Sequence, residues 1–556
     1  LTNNISCPHY LTKDGNKTAI SATKTWMGGF KNQHVHVELV LFANGIEVSN
    51  TVIPPVIAPD ASTFADVYTY TWNDLPVNDI DGKPIAYTVN ERTEPTDYEK
   101  SIDTNSLGVT NTYIFKATKT WINGRYAVKP DVWLKLYRHI EGEEPEAVPS
   151  DEPGGTPQQP TGTLSWSGSP LTARQQATWK GLDMQDAGGN VYTYTVVEGV
   201  YDEVAGTFTP SPIAPADDFP WQNAYDVAAP NVTNRYVIPK VSVSASKDWV
   251  GDEVDRPEVT FKLQRRYVPG GSGVPSSNDW ADVTGQNKAL PSGQASLTWN
   301  DMDDTDAQGR KYEYRVREIN LPDDYKVAYV DATNTVTNTH FIRAEKTWVN
   351  GRYVDPKPEV YFMLYRQAGT TGQVEAVPTT SAAPNPRKLD DPTYAEGVYT
   401  ATVTVDWDGV DKYYIDPDTD EAIPYIFSVV AVSLIDKVFT LSPPTNFGAA
   451  VDGLNITNSY NIPKDAAVSA TKVWNDPATA QAQRPSVGFQ LYRQAKDPEV
   501  PGSMYGTEEA VGDPEALPTT GDLKVDWTGL ERTDDQGREY VFTVKEGVFD
   551  GDGKFS

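Results

Sequence analysis

A Lys followed two residues later by a Trp recurs five times along this 556-residue chain, in alternating sequences such as Ala22-Thr23-Lys24-Thr25-Trp26. The five pairs are Lys24/Trp26, Lys119/Trp121, Lys247/Trp249, Lys346/Trp348 and Lys472/Trp474. Self-similarity at this spacing predicts an array of similar repeats, each with its own hydrophobic core, instead of one large domain.

Three further motifs follow the Lys-x-Trp pair in the same order: a second Trp, a period-2 strand ending in Glu, and a short strand containing Thr-Asn. The second Trp stands at Trp72, Trp179, Trp299, Trp407 and Trp527. The Glu stands at Glu91, Glu198, Glu318 and Glu546, and the Asn at Asn111, Asn234, Asn338 and Asn458. Short alternating strands between Gly, Pro, Asp and Asn turns, without a 3.6-residue period, predict antiparallel β-sandwiches.

The motifs predict five repeats after a short opening segment. The boundaries are residues 1–16 for a closing strand and linker, then 17–112, 113–236, 237–339, 340–461 and 462–556 for repeats 1 to 5. Repeat 5 has no Thr-Asn strand. Because the junctions are short, we expect an elongated, stiff rod of tandem all-β sandwiches.

Composition argues against several partners. With 47 basic and 77 acidic residues the net charge is -30, which repels phosphate backbones, so we expect no nucleic-acid partner. No segment approaches the roughly 20 consecutive apolar residues that span a bilayer, so we expect no membrane insertion. The one cysteine, Cys7, cannot form an internal disulfide.

A Lys in the first strand, a Glu late in the repeat and an Asn in the last strand are an unusual combination for an all-β domain. One interpretation is structural: the Lys reaches solvent at a strand end, the Glu pairs with it, and the Asn serves a turn. The other is a spontaneous Lys–Asn isopeptide bond. Burial lowers the pKa of an amine and raises that of a carboxylic acid, so a neutral amine attacks the carboxamide carbon while the acid relays protons and ammonia leaves.

Together these motifs resemble the collagen-adhesin B-type (CnaB-like) domains of Gram-positive surface adhesins and sortase-assembled pilins. The resemblance rests on Lys24 to Trp26, Trp72 to Pro76, Tyr87 to Glu91 and Val109 to Thr112, and on their repetition across nearly the whole chain. It implies inverse immunoglobulin-like sandwiches, an extracellular location on a bacterial surface, and a structural stalk. It also implies an intradomain isopeptide bond that forms once without turnover, so we expect neither an enzyme nor a cofactor.

The resemblance assigns complete triads to repeats 1 to 3, with the Glu as proton shuttle. These triads are Lys24, Glu91 and Asn111; Lys119, Glu198 and Asn234; and Lys247, Glu318 and Asn338. In repeat 4, Ala431 stands where the Glu is expected, so Lys346 and Asn458 lack their proton shuttle. We therefore expect no bond there, unless Asp436 or Glu421 substitutes.

Repeat 5 contains Lys472 and Glu546 but no Asn, whereas the chain opens with Leu1-Thr2-Asn3-Asn4, which is similar to a closing strand. One interpretation is a fragment boundary. The other is head-to-tail donor-strand addition between copies of the chain, with an intermolecular bond from Lys472 to Asn3. The alternative function is an adhesin in which the long segments 138–178, 267–296 and 367–403 bind a host protein or carbohydrate.

Four other patterns receive structural interpretations. Leu517 to Gly521 fits a sortase sorting pentapeptide, but no hydrophobic segment follows it. Tyr236 to Lys240 and Tyr460 to Lys464 are interpreted as linkers, and Asp304 to Gly309 as an acidic hairpin turn. His34 and His36 are expected on a solvated strand face, because no third metal ligand is near. We therefore expect no metal site.

Overall fold

The computed structural model describes residues 15–48, 53–58, 64–215, 220–225, 229–251, 254, 256–354, 359–435, 438–441, 445–518 and 523–556. Among these residues the regular structure is β-strand, apart from the 3-10 turns Lys31–Gln33 and Ala478–Gln483. The predicted all-β class is confirmed. No helix in these ranges is long and apolar enough to cross a membrane.

The chain divides into two compact bodies. Body 1 comprises the residues up to Val243 together with Arg265–Ala281 and Trp299–Tyr314, and body 2 comprises Ser244–Gln264, Asp282–Thr298 and Arg315–Ser556. Repeat 3 therefore contributes segments to both bodies.

One continuous strand belongs to both repeat 1 and repeat 2. Repeat 1 contains β1 (Lys17–Met27), β2 (Leu39–Ala43), β3 (Ile46–Val48), β4 (Val56–Ala58), β5 (Val67–Pro76), β6 (Tyr87–Glu91), β7 (Tyr98–Asp103) and β8 (Gly108–Ile122). Repeat 2 begins within β8 and continues with β9 (Trp133–His139), β10 (Glu146–Ala147), β11 (Thr172–Lys180), β12 (Thr193–Asp202), β13 (Thr207–Pro210), β14 (Trp221–Tyr225) and β15 (Asn231–Tyr236).

Repeats 3 and 4 share a strand in the same way, and repeat 5 follows a linker. Repeat 3 contains β16 (Lys240–Val250), β17 (Val259–Tyr267), β18 (Ala281–Asp282), β19 (Lys288–Leu290), β20 (Ser296–Asp303), β21 (Tyr312–Ile319), β22 (Tyr325–Val330) and β23 (Thr335–Val349). Repeat 4 begins within β23 and continues with β24 (Tyr361–Ala368), β25 (Glu375–Ala376), β26 (Arg387–Lys388), β27 (Thr400–Asp408), β28 (Tyr413–Ile415), β29 (Ala422–Ile435), β30 (Val438–Thr440), β31 (Phe447–Asp452) and β32 (Asn455–Tyr460). Repeat 5 contains β33 (Ala466–Thr471), β34 (Val487–Lys496), β35 (Met504–Ala516), β36 (Lys524–Leu530) and β37 (Tyr540–Val548).

Repeat 1 shows how a sandwich forms from these strands. β1 pairs antiparallel with β5 and parallel with β8, while β2 pairs with β3 and β6 in a second sheet. Successive side chains of a strand point to opposite faces, so Trp26 of β1 and Tyr70 of β5 face inward. There they pack with Leu39 and Leu41 of β2 in one buried cluster. The core thus lies between the two sheets.

Repeats 2, 4 and 5 also have clusters of their own, and each contains the second Trp of the motif. Trp179 lies in the core of repeat 2 and Trp407 in that of repeat 4, both buried. In repeat 5 the buried cluster is smaller, and Trp527 is only partly buried against Phe489. The second Trp is therefore a core residue.

The first and last strands of repeats 1 to 4 lie side by side in parallel, and all four pairs have the same register. In each pair the Asn lies opposite the Trp of the Lys-x-Trp motif. The pairs are Trp26 with Asn111, Trp121 with Asn234, Trp249 with Asn338, and Trp348 with Asn458. Because the Lys precedes the Trp by two residues, Lys and Asn side chains project from the same face of the sheet.

Candidate functional site

The structure brings the Lys, Glu and Asn of repeats 1 to 3 together inside each sandwich. Lys24 comes from β1 in one sheet, Glu91 from β6 in the other, and Asn111 from β8. All three side chains are buried, and Lys24 has no exposed surface. A Lys that extends to solvent is therefore ruled out in repeat 1, and so is an Asn in a turn. Lys119 and Lys247 are likewise buried.

In each triad the Glu bridges the other two side chains. The Lys24 Nζ lies 3.4 Å from Glu91 Oε2, while Asn111 Nδ2 donates to Glu91 Oε1 at 3.1 Å. In repeat 3, Lys247 Nζ is 3.5 Å from Glu318 Oε2. Asn338 Nδ2 donates to Glu318 Oε1 at 2.8 Å. One carboxylate thus faces both the amine and the amide nitrogen.

Repeat 2 has the same arrangement with a closer ion pair. Lys119 Nζ donates to Glu198 Oε2, and Asn234 Nδ2 donates to Glu198 Oε1 at 2.8 Å. Within the described residues the Asn234 Oδ1 has no hydrogen-bond partner, as is also true of the Oδ1 atoms of Asn111 and Asn338. The carboxamide is therefore held through its nitrogen, the atom that leaves if an amine attacks its carbon.

Burial changes the protonation chemistry of the three amines. Desolvation lowers the pKa of Lys24, Lys119 and Lys247 to about 8 each, against the opposing attraction of the neighbouring Glu. A lowered pKa increases the fraction of neutral, nucleophilic amine near neutral pH. The triads thus combine an activated amine, a carboxamide and a bridging acid.

The Trp of the Lys-x-Trp motif lines each triad, a role that the motif analysis missed. The Nζ of Lys24 lies 4.5 Å from the ring centroid of Trp26, and the Lys247 Nζ is 4.1 Å from that of Trp249. The fixed two-residue spacing in the sequence was the available signal, since it places both side chains on one face of the strand.

Repeat 4 keeps the amine and the carboxamide but not the acid. Lys346 and Asn458 are buried, and Ala431 lies opposite Phe362 in β24. Among the described residues, neither the Lys346 Nζ nor the side-chain amide of Asn458 has a hydrogen-bond partner. Desolvation lowers the pKa of Lys346 to about 7. Glu421 is exposed, and Asp436 lies outside the described residues.

Repeat 5 holds Lys472 and Glu546 at an open edge. Their ion pair has distances of 2.6 and 2.8 Å, and the side chains are 18% and 40% exposed. Within the described residues β33 pairs only with β36, so the edge that β8 covers in repeat 1 is uncovered here. Asn3, the predicted partner of Lys472, lies outside the described residues.

The prediction of a solvated strand face was wrong for His34 and correct for His36 only in its exposure. Residues 34–38 are not a strand, and His34 is buried, stacked on Trp26 with 5.5 Å between ring centroids. The His34 Nδ1 lies 2.7 Å from Asp66 Oδ1 and its Nε2 lies 2.9 Å from the Gly28 carbonyl oxygen. Trp26 and Asp66 enclose the His34 ring, and a prediction from strand alternation does not include either contact. His36 is exposed.

Other patterns occupy structural positions. Leu517 of the pentapeptide is buried in the core of repeat 5, and residues 519–522 lie outside the described ranges. In the acidic turn, Asp306 Oδ1 accepts the N–H groups of Gln308 and Arg310. The described residues contain no group of three or more His, Cys, Asp or Glu side chains that could hold a metal ion.

Comparisons with known proteins agree with this architecture. The Cna protein B-type domain family matches residues 20–112, 243–339 and 468–552. A collagen adhesin of Staphylococcus aureus is 24% identical over 553 residues, which cover 95% of this chain, and the match spans only 38% of that adhesin's length.

Solved structures that are similar to parts of the chain include adhesin and pilus proteins. Two B repeat units of the collagen binding protein of Staphylococcus aureus are 20% identical, over 80% of this chain and 100% of that one, with a TM-score of 0.23. The pilus backbone of Streptococcus pneumoniae is 10% identical, over 66% of this chain and 90% of that one, with a TM-score of 0.11. On the family match, repeats 1, 3 and 5 each contain a Cna protein B-type domain.

Proposed function

We propose that this chain is a structural segment of a bacterial cell-surface stalk or filament whose repeats 1, 2 and 3 are each closed by one Lys–Asn isopeptide bond. The observation that carries the proposal is the bridging carboxylate, which contacts a buried amine and a carboxamide nitrogen in all three repeats. The Cna B-type domains in repeats 1, 3 and 5 and a collagen adhesin among the relatives support the location.

The bond forms by a balanced condensation. The neutral Nζ attacks the Asn Cγ, a C–N bond forms, and the tetrahedral intermediate expels the original amide nitrogen as ammonia. The Glu accepts a proton from the attacking amine through one oxygen and delivers a proton to the leaving nitrogen through the other. No cofactor and no second substrate are consumed.

Intact-mass measurement of the denatured chain tests the proposal. Each bond lowers the mass by one ammonia (~17 Da), so three bonds give three such losses. Peptide mapping is expected to join Lys24 to Asn111, Lys119 to Asn234 and Lys247 to Asn338. Glu91→Gln, Glu198→Gln and Glu318→Gln are each expected to restore one ammonia mass and separate one pair only. Unmodified linear peptides from all three repeats in the wild-type chain contradict the proposal.

A second proposal concerns assembly, and the open edge of β33 favours it. A strand carrying Asn, aligned in parallel with β33 and continuing past its end at Thr471, would bring that Asn opposite Trp474, as Asn111 lies opposite Trp26. We propose that Asn3 of a neighbouring copy occupies this place, so that Lys472 and Glu546 form an intermolecular bond and copies link head to tail.

A strand that closes repeat 5 could come from a neighbouring copy or from another segment of the same protein. Denaturing gel electrophoresis of assembled protein distinguishes the two. A ladder of covalent multimers that collapses to monomer in Lys472→Ala and Asn3→Ala supports assembly between copies. A chain that remains monomeric at every concentration contradicts it, whether or not another segment of the same protein closes repeat 5.

The adhesin alternative assigns binding to the long segments 138–178, 267–296 and 367–403. In repeats 2 and 4 these segments contribute buried side chains, Val148 and Leu389, to the domain cores. The S. aureus relative is named a collagen adhesin, so immobilised collagen is the first ligand to test. Binding that survives deletion of all three segments contradicts the assignment.

A further inference from the structure

The loop after the first strand of repeats 2 and 4 makes the same contacts at two places in the chain. In body 1 the loop Asn123–Tyr126 contacts the turn Thr305–Arg310, and in body 2 the loop Asn350–Tyr353 contacts the turn Thr533–Arg538. Both loops have the sequence Asn-Gly-Arg-Tyr, and both turns contain Gln-Gly-Arg. We refer to them as the docking loops and the docking turns.

The backbone contacts of the two pairs match atom for atom. In body 1, Gly124 N–H donates to the Ala307 carbonyl at 2.9 Å, and Tyr126 N–H donates to the Gln308 carbonyl at 2.8 Å. In body 2 the corresponding bonds run from Gly351 to Asp535 at 3.0 Å and from Tyr353 to Gln536 at 2.7 Å. The repetition of both bonds indicates a specific interface and not a chance contact.

Side chains add two further matched contacts. Gln308 Nε2 donates to Asn123 Oδ1 at 3.4 Å, and Gln536 Nε2 donates to Asn350 Oδ1 at 3.0 Å. A hydroxyl pair joins Tyr236 to Thr305 at 2.9 Å, and its counterpart joins Tyr460 to Thr533 at 2.8 Å. These pairs depend on residue type, so they confer specificity that backbone bonds alone do not.

The glycine of each docking turn leaves space for the loop. A Cβ on Gly309 would lie 2.6 Å from the Ala127 Cβ, and a Cβ on Gly537 would lie 2.7 Å from the Val354 Cγ2. Both glycines have positive φ, +81° and +83°. Gly82, in the similar turn of repeat 1, has φ +78° and no atom within 4 Å of its Cβ position. Gly82 therefore shares the backbone conformation without the close approach.

Repeats 1 and 2 have the same Asp-capped turn but not the residues that fit the loop. In these turns an Asp Oδ1 accepts the N–H groups two and four residues later, at Asp79 and at Asp186. The residue two positions after the Asp is Asp81 in repeat 1 and Gly188 in repeat 2, where repeats 3 and 5 have Gln. Neither an ionised carboxylate nor a glycine supplies the side-chain donor for the docking-loop Asn.

We propose that the docking loop and the docking turn are a recognition pair that specifies which domain follows which, so that repeats 2 and 3 and repeats 4 and 5 form two-domain modules. Repeats 1 to 2 and 3 to 4 are joined differently, by the continuous strands β8 and β23. This proposal is independent of the isopeptide bonds.

Hydrogen exchange of the full chain, measured by mass spectrometry, tests the pair. Gly537→Ala places a Cβ against Val354, and Gln536→Met removes the side-chain donor to Asn350. Each is expected to accelerate exchange of residues 350–354 at least tenfold, because a weakened interface separates the Gly351 and Tyr353 amides from their backbone carbonyl acceptors more often. Residues 123–127 in the unaltered junction are the internal control and are expected to be unchanged. Gly309→Ala is expected to accelerate exchange of residues 123–127 and to leave residues 350–354 unchanged.

Gly82→Ala controls for the cost of an alanine at positive φ. It is expected to leave both docking loops protected. Unchanged exchange at 350–354 in both repeat 5 variants overturns the proposal. So does an equal acceleration in peptides that cover 123–127, since the effect would then not belong to a matched pair.

Discussion

Ala431 pairs with Phe362 in the ladder of β29 and β24, at the place where Glu198 pairs with Leu134 in β12 and β9. The same position in the sheet therefore holds a carboxylate in repeat 2 and a methyl group in repeat 4. Because the other strands keep their register, Lys346 remains buried without the acid that bridges Lys119 to Asn234. Repeat 4 therefore keeps the Lys and the Asn of the triad and lacks the Glu.

Restoring that acid is expected to create a bond in repeat 4. In Ala431→Glu we expect one additional ammonia loss and a cross-link between Lys346 and Asn458, because the parallel register of β23 and β32 already aligns the two side chains. Peptide mapping of the denatured protein measures the link.

Ala431→Gln is the matched control, since it has nearly the same size but cannot relay protons. We expect it to remain uncross-linked. A folded Ala431→Glu variant without the link, or a wild-type chain that already carries it, contradicts the prediction.

Pulling the full chain by its ends is expected to extend repeat 4 but not the cross-linked parts of repeats 1 to 3. Because the bond joins the first and last strands of a repeat, the pulling force passes through the bond. The residues between the two strands carry no force and are not extended. Unfolding of repeat 4 is expected to add about 370 to 400 Å, at ~3.3 to 3.6 Å per residue between Lys346 and Asn458. Single-molecule force spectroscopy measures these steps.

Glu91→Gln is the comparison for that experiment. It is expected to add one unfolding step for the residues between Lys24 and Asn111. It is also expected to lower the free energy of unfolding of repeat 1 by ~4 to 5 kcal/mol, the loop-closure contribution of a comparable cross-link. A wild-type chain in which all repeats extend fully is incompatible with the cross-links.

The stability of repeat 4 is expected to rise with pH. Desolvation lowers the pKa of Lys346 to about 7 in the folded state from 10.5, so between these values the unfolded state binds more protons. The free energy of unfolding therefore increases from about pH 7 toward pH 10.5, by on the order of 5 kcal/mol over the whole interval. Below pH 7 both states are protonated and the dependence levels off.

The unfolding force of repeat 4 at pH 6, 8 and 9.5 measures this trend. Lys346→Met is expected to raise the force at pH 6 and to abolish the rise, because no buried amine remains. Lys388→Met changes an exposed side chain and is expected to leave the trend intact. A force that falls across this interval in the wild-type chain is the contrary result.

His34 is expected to hold the loop that follows Trp26. One ring nitrogen of His34 lies at Asp66 and the other at the Gly28 carbonyl oxygen. Gly29, which follows Gly28 in the chain, donates its N–H to the Leu182 carbonyl at 2.7 Å. His34→Phe keeps an aromatic ring over Trp26 but removes both hydrogen bonds, at a cost of about 1 to 3 kcal/mol. Hydrogen exchange of residues 28–35 is expected to accelerate.

His36→Phe is the control, because His36 is exposed. It is expected to leave that exchange unchanged. Equal effects of the two substitutions are evidence against a specific role for His34.

Much of the fold and of the site could be predicted because both depend on short-range pattern. Alternation in segments such as Tyr87 to Glu91 predicts strands, and the constant order of Lys, Trp, Glu and Asn identifies the triads. His34 could not be placed in this way. Its burial depends on Asp66 and Trp26, and a turn, not a strand, brings it to them.

The sequence by itself determined the all-β class, and it predicted five repeats and the residues of each triad, since strand alternation and motif order are local properties of the chain. Only the tertiary structure decided that Glu91 reaches both Lys24 and Asn111, because that contact joins strands of two sheets and requires the parallel register of β1 and β8. It also decided the matched docking of Asn123 with Gln308 and of Asn350 with Gln536. Such contacts form between residues far apart in the chain, and packing rather than local preference sets them.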